Sequence, residues 1–145
     1  MSSLARRLLI AIALLAVCGI AVSSVALRHH YETSATSYCD IAENFSCDIV
    51  NRSTYSTMLG VPDALIGIVG YAALLILATL YRSKAETPRI LLIASVAGLG
   101  FALYLTYVEA FVLATWCILC LSSLVVISLI AVLSSFLLVH SRRPA

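Results

Sequence analysis

Five cysteines, Cys18, Cys39, Cys47, Cys117 and Cys120, carry the reactive chemistry of this chain. Cys117-Ile118-Leu119-Cys120 places two thiols three residues apart, on one face of a helix. At a helix start they feel the positive end of the macrodipole. That favours thiolate, the form that attacks disulfides and reduces acceptors. Cys39 and Cys47 have seven residues between them, a spacing that suits a static disulfide as well as a reactive pair. A staple explains the Cys-x-x-Cys poorly, because a helix start already ordered by its surroundings gains little from it. Four cysteines also match a zinc site in number, but zinc sites usually use two tight pairs. No metal is expected. Cys18 lies among Ala, Val and Ile, where a free cysteine usually acts as a small hydrophobe.

The elements that position these thiols are apolar. Of 145 residues, 62% are hydrophobic and 11% charged, against roughly 45–50% and 25% in soluble domains. Mean hydropathy is +1.06. A soluble fold of this size has too little interior for that much apolar side chain, and disorder is excluded for the same reason. The net charge of +2 gives no footing for nucleic acid. Four apolar stretches, about 8–27, 62–81, 89–112 and 117–139, approach the ~20 residues that cross a bilayer. In lipid they must be helices. The predicted fold is therefore all-α: a transmembrane four-helix bundle forming a single domain, 1–145, with a long outer loop at about 28–61.

Charge sets the orientation. Arg6, Arg7, Arg82, Lys84, Arg89, Arg142 and Arg143 are seven of the nine basic residues, and four spans bring all seven to one side. The positive-inside rule makes that side cytoplasmic, with both termini. Cys39, Cys47, Cys117 and Cys120 then face the extracytoplasmic side, where disulfides persist. Arg6-Arg7 before an apolar run also resembles a signal peptide, but the run continues to Leu27, long enough to span. Ala94, Gly98 and Ala102 read as a packing stripe. His29 and His30 read as interfacial. Asn44-Phe45-Ser46 and Asn51-Arg52-Ser53 match the glycosylation pattern, a short motif that often occurs by chance.

Together these features resemble the vitamin K epoxide reductase family, in its bacterial form. The resemblance rests on Cys39 and Cys47, on Asp48-Ile49-Val50-Asn51 with Ser53 downstream, on Gly60-Val61-Pro62 leading to Gly67, on Tyr104-Leu105 through Glu109 and Phe111, and on Cys117-Ile118-Leu119-Cys120. It implies a four-helix bundle around a quinone pocket and a two-pair electron relay. By that resemblance Cys39 and Cys47 exchange with a thioredoxin-like periplasmic protein, and Cys120 faces a quinone of the ubiquinone, menaquinone or phylloquinone class. No thioredoxin-like domain follows the fourth stretch, so the partner is expected to be a separate protein. The implied location is a bacterial inner membrane and the implied role is support of disulfide-bond formation.

Some matches are partial. Animal members carry an Asn four residues before the glycine that matches Gly67; here that residue is Asp63, a candidate quinone contact that a helix N-terminus would favour anyway. Ser53 matches a loop serine near the pocket but also suits a helix cap. Animal members have a Tyr four residues after the second Cys of the pair; here it is Leu124, which favours the bacterial role over epoxide reduction. Glu109 is costly within a span and is a candidate proton carrier, since quinone reduction consumes two protons. The alternatives are animal-type reduction of vitamin K epoxide and a non-enzymatic tetraspan with static disulfides.

Overall fold

The computed structural model describes residues 1–32 and 42–142. Helix α1 runs Ser3–Tyr31. It starts where Ser2 accepts the Ala5 backbone N–H and ends with Arg28, His29 and His30 in its last turn, a charge placement the helix dipole favours. A short helix α2, Cys47–Asn51, is capped by Ser46, whose side chain accepts the Ile49 N–H. A 3₁₀ turn at Thr54–Ser56 follows. Strands β1, Thr57–Met58, and β2, Val61–Pro62, pair antiparallel. Their two-residue connection, Leu59-Gly60, has positive φ at both positions, the backbone of a primed hairpin turn. This hairpin delivers the chain into α3, Asp63–Thr79.

Helix α4, Thr87–Tyr107, begins with Pro in its first turn, where the missing N–H costs nothing. It passes directly into a π-helical segment, Val108–Leu113. Helix α5, Ile118–Arg142, completes the fold. Helix α1 packs against α3 and α5, and α4 packs against α5 and α3. Close approach is made at Gly19, where an added Cβ would lie 2.4 Å from the Tyr71 ring, and at Gly67, 2.7 Å from the Ser23 hydroxyl. Gly98 takes the Ile127 side chain in the same way, 3.1 Å from an added Cβ, so the small-residue stripe is packing.

The protein is an all-α membrane protein. Three helical stretches, Ser3–Tyr31, Thr87–Leu113 and Ile118–Arg142, are long and apolar enough to cross a bilayer. The fourth apolar helix, Asp63–Thr79, has 17 residues, about 26 Å at 1.5 Å per residue, somewhat short of the usual span. The helices differ from the predicted stretches mainly at their ends. The largest extension is α1, which starts at Ser3 and reaches Tyr31.

The helices meet in two unlike halves. Leu9, Ile12, Leu74, Leu91, Ile130 and Leu137 are buried in one apolar cluster, which fills the half nearest the start of α1. At that end the Ser2 hydroxyl hydrogen-bonds the His140 ring at 2.7 Å, and Arg82, Lys84, Arg89 and Arg142 gather around one open recess. These four basic residues thus lie at one end of the helices, and Cys47, Cys117 and Cys120 lie at the other, with Arg28 and Arg52.

Candidate functional site

Two segments distant in sequence are stitched together at the cysteine end. The Trp116 N–H donates to the Asn44 carbonyl at 2.8 Å, and the Ser46 N–H donates to the Trp116 carbonyl at 3.1 Å. These bonds lay residues 44–46 along 116, so the next residue on each strand, Cys47 and Cys117, comes into contact. Both are fully buried and share an apolar cluster with Val50, Leu113, Leu119 and Cys120. The Asn51 side-chain amide donates to the Cys47 carbonyl at 2.9 Å and approaches the Cys117 sulfur at 3.8 Å. Cys39 lies outside the described residues.

Cys117 sits just ahead of α5 and Cys120 in its first turn. They stand as thiols. Cys117 is fully buried, so at this sulfur the pull of the helix N-terminus works against the cost of desolvating a thiolate.

Glu109 is carried by the π-helical segment, whose widened turn is a feature common at functional sites. The segment stops at Ala114, a non-glycine residue with φ 49°, and the Ala114 and Thr115 N–H groups both donate to the Glu109 carbonyl. One Glu109 carboxylate oxygen accepts the Cys117 backbone N–H at 3.2 Å. The other carboxylate oxygen is buried without a hydrogen-bond partner among the described residues, and the side chain is 1% exposed. Cys120 and Glu109 line the same cavity.

This cavity lies beneath the cysteines and measures about 410 Å³, within the size range of small-molecule sites. Cys120 and Glu109 line it near the docked loop, and His30, Asn51, Ser53 and Asp63 also face it. Asp63 is the first residue of α3. Both its carboxylate oxygens are buried and lack a hydrogen-bond partner among the described residues. Ser53 does not cap a helix through its side chain; its hydroxyl donates to the Val50 carbonyl at 2.8 Å. Tyr71 completes the lining toward the apolar half, with its hydroxyl 2.8 Å from that of Ser123. Phe101, Leu105 and Ile127 supply apolar wall. The arrangement suits a flat, largely apolar ring with polar oxygens.

A family model described as the vitamin K epoxide reductase family matches residues 10–135. The chain belongs to this family. A search of the curated proteins finds no match to the chain. Membership makes the protein an oxidoreductase of the quinone and vitamin K type. Among the site residues predicted from the family's pattern, Cys47, Cys117, Cys120, Glu109, Asp63 and Ser53 all fall at or around one cavity.

Cys18 lies on the exposed outer face of α1, away from Cys47, Cys117 and Cys120. Two readings of the sequence are corrected. His29 is fully buried, with its Nδ1 3.6 Å from an Asp48 oxygen, and His30 lines the cavity and hydrogen-bonds the Asn51 carbonyl. Neither is simply interfacial. Asn51 emerges as a site residue. Its only earlier signals were its place in the Asp48–Asn51 run and a glycosylation pattern, whose acceptor amide is buried here.

Proposed function

We propose that the protein is a membrane thiol–quinone oxidoreductase. It takes electrons from a separate thioredoxin-like periplasmic protein through Cys39 and Cys47 to Cys117 and Cys120, and passes them to a quinone. The reading places both termini in the cytoplasm and the cysteines outside a bacterial inner membrane, with four helices crossing as a bundle. The observation that carries it is the contact between Cys47 and Cys117 directly above a cavity that Cys120 lines.

The Cys47 thiolate attacks Cys117 of a Cys117–Cys120 disulfide, and Cys120 leaves as thiolate. Cys39 then attacks Cys47, closing the loop disulfide and leaving Cys117 and Cys120 as a dithiol. Such exchange proceeds through a mixed disulfide, and the docked loop holds the two sulfurs where one can form. Asn51 offers a donor to the Cys117 sulfur. Cys117 and Cys120 then give up two electrons as their disulfide re-forms, and the quinone accepts them. Asp63 and Ser53 face the cavity as candidate ring contacts. Leu124 stands where animal members have Tyr, which disfavours epoxide reduction.

The test is quinone reduction by purified protein supplied with a reduced thioredoxin-like protein. Turnover that requires both cysteine pairs is expected. Disulfides that survive mild reductant and never equilibrate with quinone would contradict the proposal and support a static tetraspan.

A further inference from the structure

Quinone reduction by a dithiol moves two protons as well as two electrons, and one sulfur of the pair, Cys120, faces the cavity together with a carboxylate. Building on the proposed quinone reaction, we infer that Glu109 is its proton-transfer residue: it takes the proton from the Cys120 thiol and hands it to a quinone oxygen.

The geometry supplies both halves of that transfer. Glu109 and Cys120 line the same cavity, and the carboxylate is held to the backbone N–H of Cys117, three residues before Cys120, so the acceptor for the thiol proton stands beside it. One carboxylate oxygen is fixed by the Cys117 N–H at 3.2 Å. The other is buried, without a hydrogen-bond partner among the described residues, in a side chain that lines the cavity. An unpaired buried carboxylate oxygen is costly to maintain, and a purely structural residue would not need one. The π-helical turn and the left-handed Ala114 hold the side chain between sulfur and cavity.

The atoms balance. Cys120 loses its proton to Glu109, and its sulfur supplies electrons as the bond to the Cys117 sulfur forms. Glu109 releases the proton to one quinone oxygen and returns to carboxylate. The Cys117 proton is released as the sulfur–sulfur bond forms, and the other quinone oxygen takes its proton from solvent. One dithiol becomes one disulfide, and one quinone becomes one hydroquinone. The titratable groups around Glu109 are Cys117 and Cys120 beside it, Cys47 from α2, and, lining the cavity, His30, Tyr55, Asp63 and Tyr71.

The experiment mixes dithiol-reduced, purified full-length protein rapidly with short-chain ubiquinone and, separately, with menadione, across a pH series in H₂O and D₂O. Glu109→Gln keeps a carbonyl oxygen for the Cys117 N–H but cannot carry a proton. It should slow quinone reduction by about 10²–10⁴-fold, the usual worth of general acid–base catalysis. Dithiothreitol should still open the variant's Cys117–Cys120 disulfide completely, so the loss lies in quinone reduction. Glu109→Asp, one methylene shorter but still ionisable, should recover part of the loss. Wild type should be slower in D₂O. If Glu109→Gln reduces quinone within twofold of wild type with the same pH profile, Glu109 is not the carrier. A wild-type rate indifferent to pH and to D₂O overturns the inference independently of any variant. Wild type inactive on both quinones instead overturns the quinone reaction itself.

Discussion

The two halves of the helices treat buried polar atoms in opposite ways. In the half near the start of α1, apolar side chains fill the interior, and the exposed end is tied by ordinary bonds such as Ser2 to His140. Ser134 is the exception there, with a buried hydroxyl that lacks a partner among the described residues. In the cysteine half the interior opens into a cavity, and the carboxylates of Asp63 and Glu109 are buried with oxygens unpaired. The first arrangement maximises packing. The second gives up packing for a cavity flanked by buried carboxylates. The boundary is Tyr71, whose ring rests on Gly19 and whose hydroxyl bonds Ser123.

Substitutions on either side of that boundary should fail differently. Cys120→Ala removes the sulfur that lines the cavity. Quinone reduction should fall to background, more than ~1000-fold, with little change in melting temperature. Substantial turnover would sink its role. Gly19→Ala should do the reverse. The new Cβ would stand 2.4 Å from the Tyr71 ring, and forcing the ring aside should cost about 1–3 kcal/mol of stability. Gly70→Ala, which meets nothing within 4 Å, is its control in a denaturant series. Asn51→Ala removes a donor to Cys117 and to the Cys47 carbonyl. Loss of about 1 kcal/mol should slow exchange between the pairs roughly fivefold, read by quenched-flow trapping of thiols. Cys18→Ala, on the exposed face of α1, should change both activity and stability by less than ~0.5 kcal/mol.

The helices were legible because apolar runs of about 20 residues have few alternatives in lipid. Their faces were not. Leu9, Ile12, Ala16, Gly19, Ser23 and Ala26 form the buried side of α1, and Cys18 falls off it. In a helix apolar all round, hydropathy does not tell a lipid-facing residue from a packed one. Cys47, Cys117, Cys120 and Glu109 stood out through type and spacing, and Asp63 and Ser53 through family pattern, but that they gather around one cavity did not. The docking of residues 44–46 on Trp116 did not either, because backbone bonds between segments about 70 residues apart leave no trace in side-chain type. The same blindness hid Asn51, and it hid His29, whose partner Asp48 comes from the docked loop.

The central claim is that electrons pass between the loop and α5 through a Cys47–Cys117 bond. Cys39→Ala removes the thiol that would resolve that bond, so the mixed disulfide should accumulate. A protease site placed at 83–85 would cut the chain between α3 and α4. After cleavage the two halves of Cys39→Ala should migrate together without reductant and separate with it. Halves that separate without reductant, while wild type still reduces quinone, would contradict the relay.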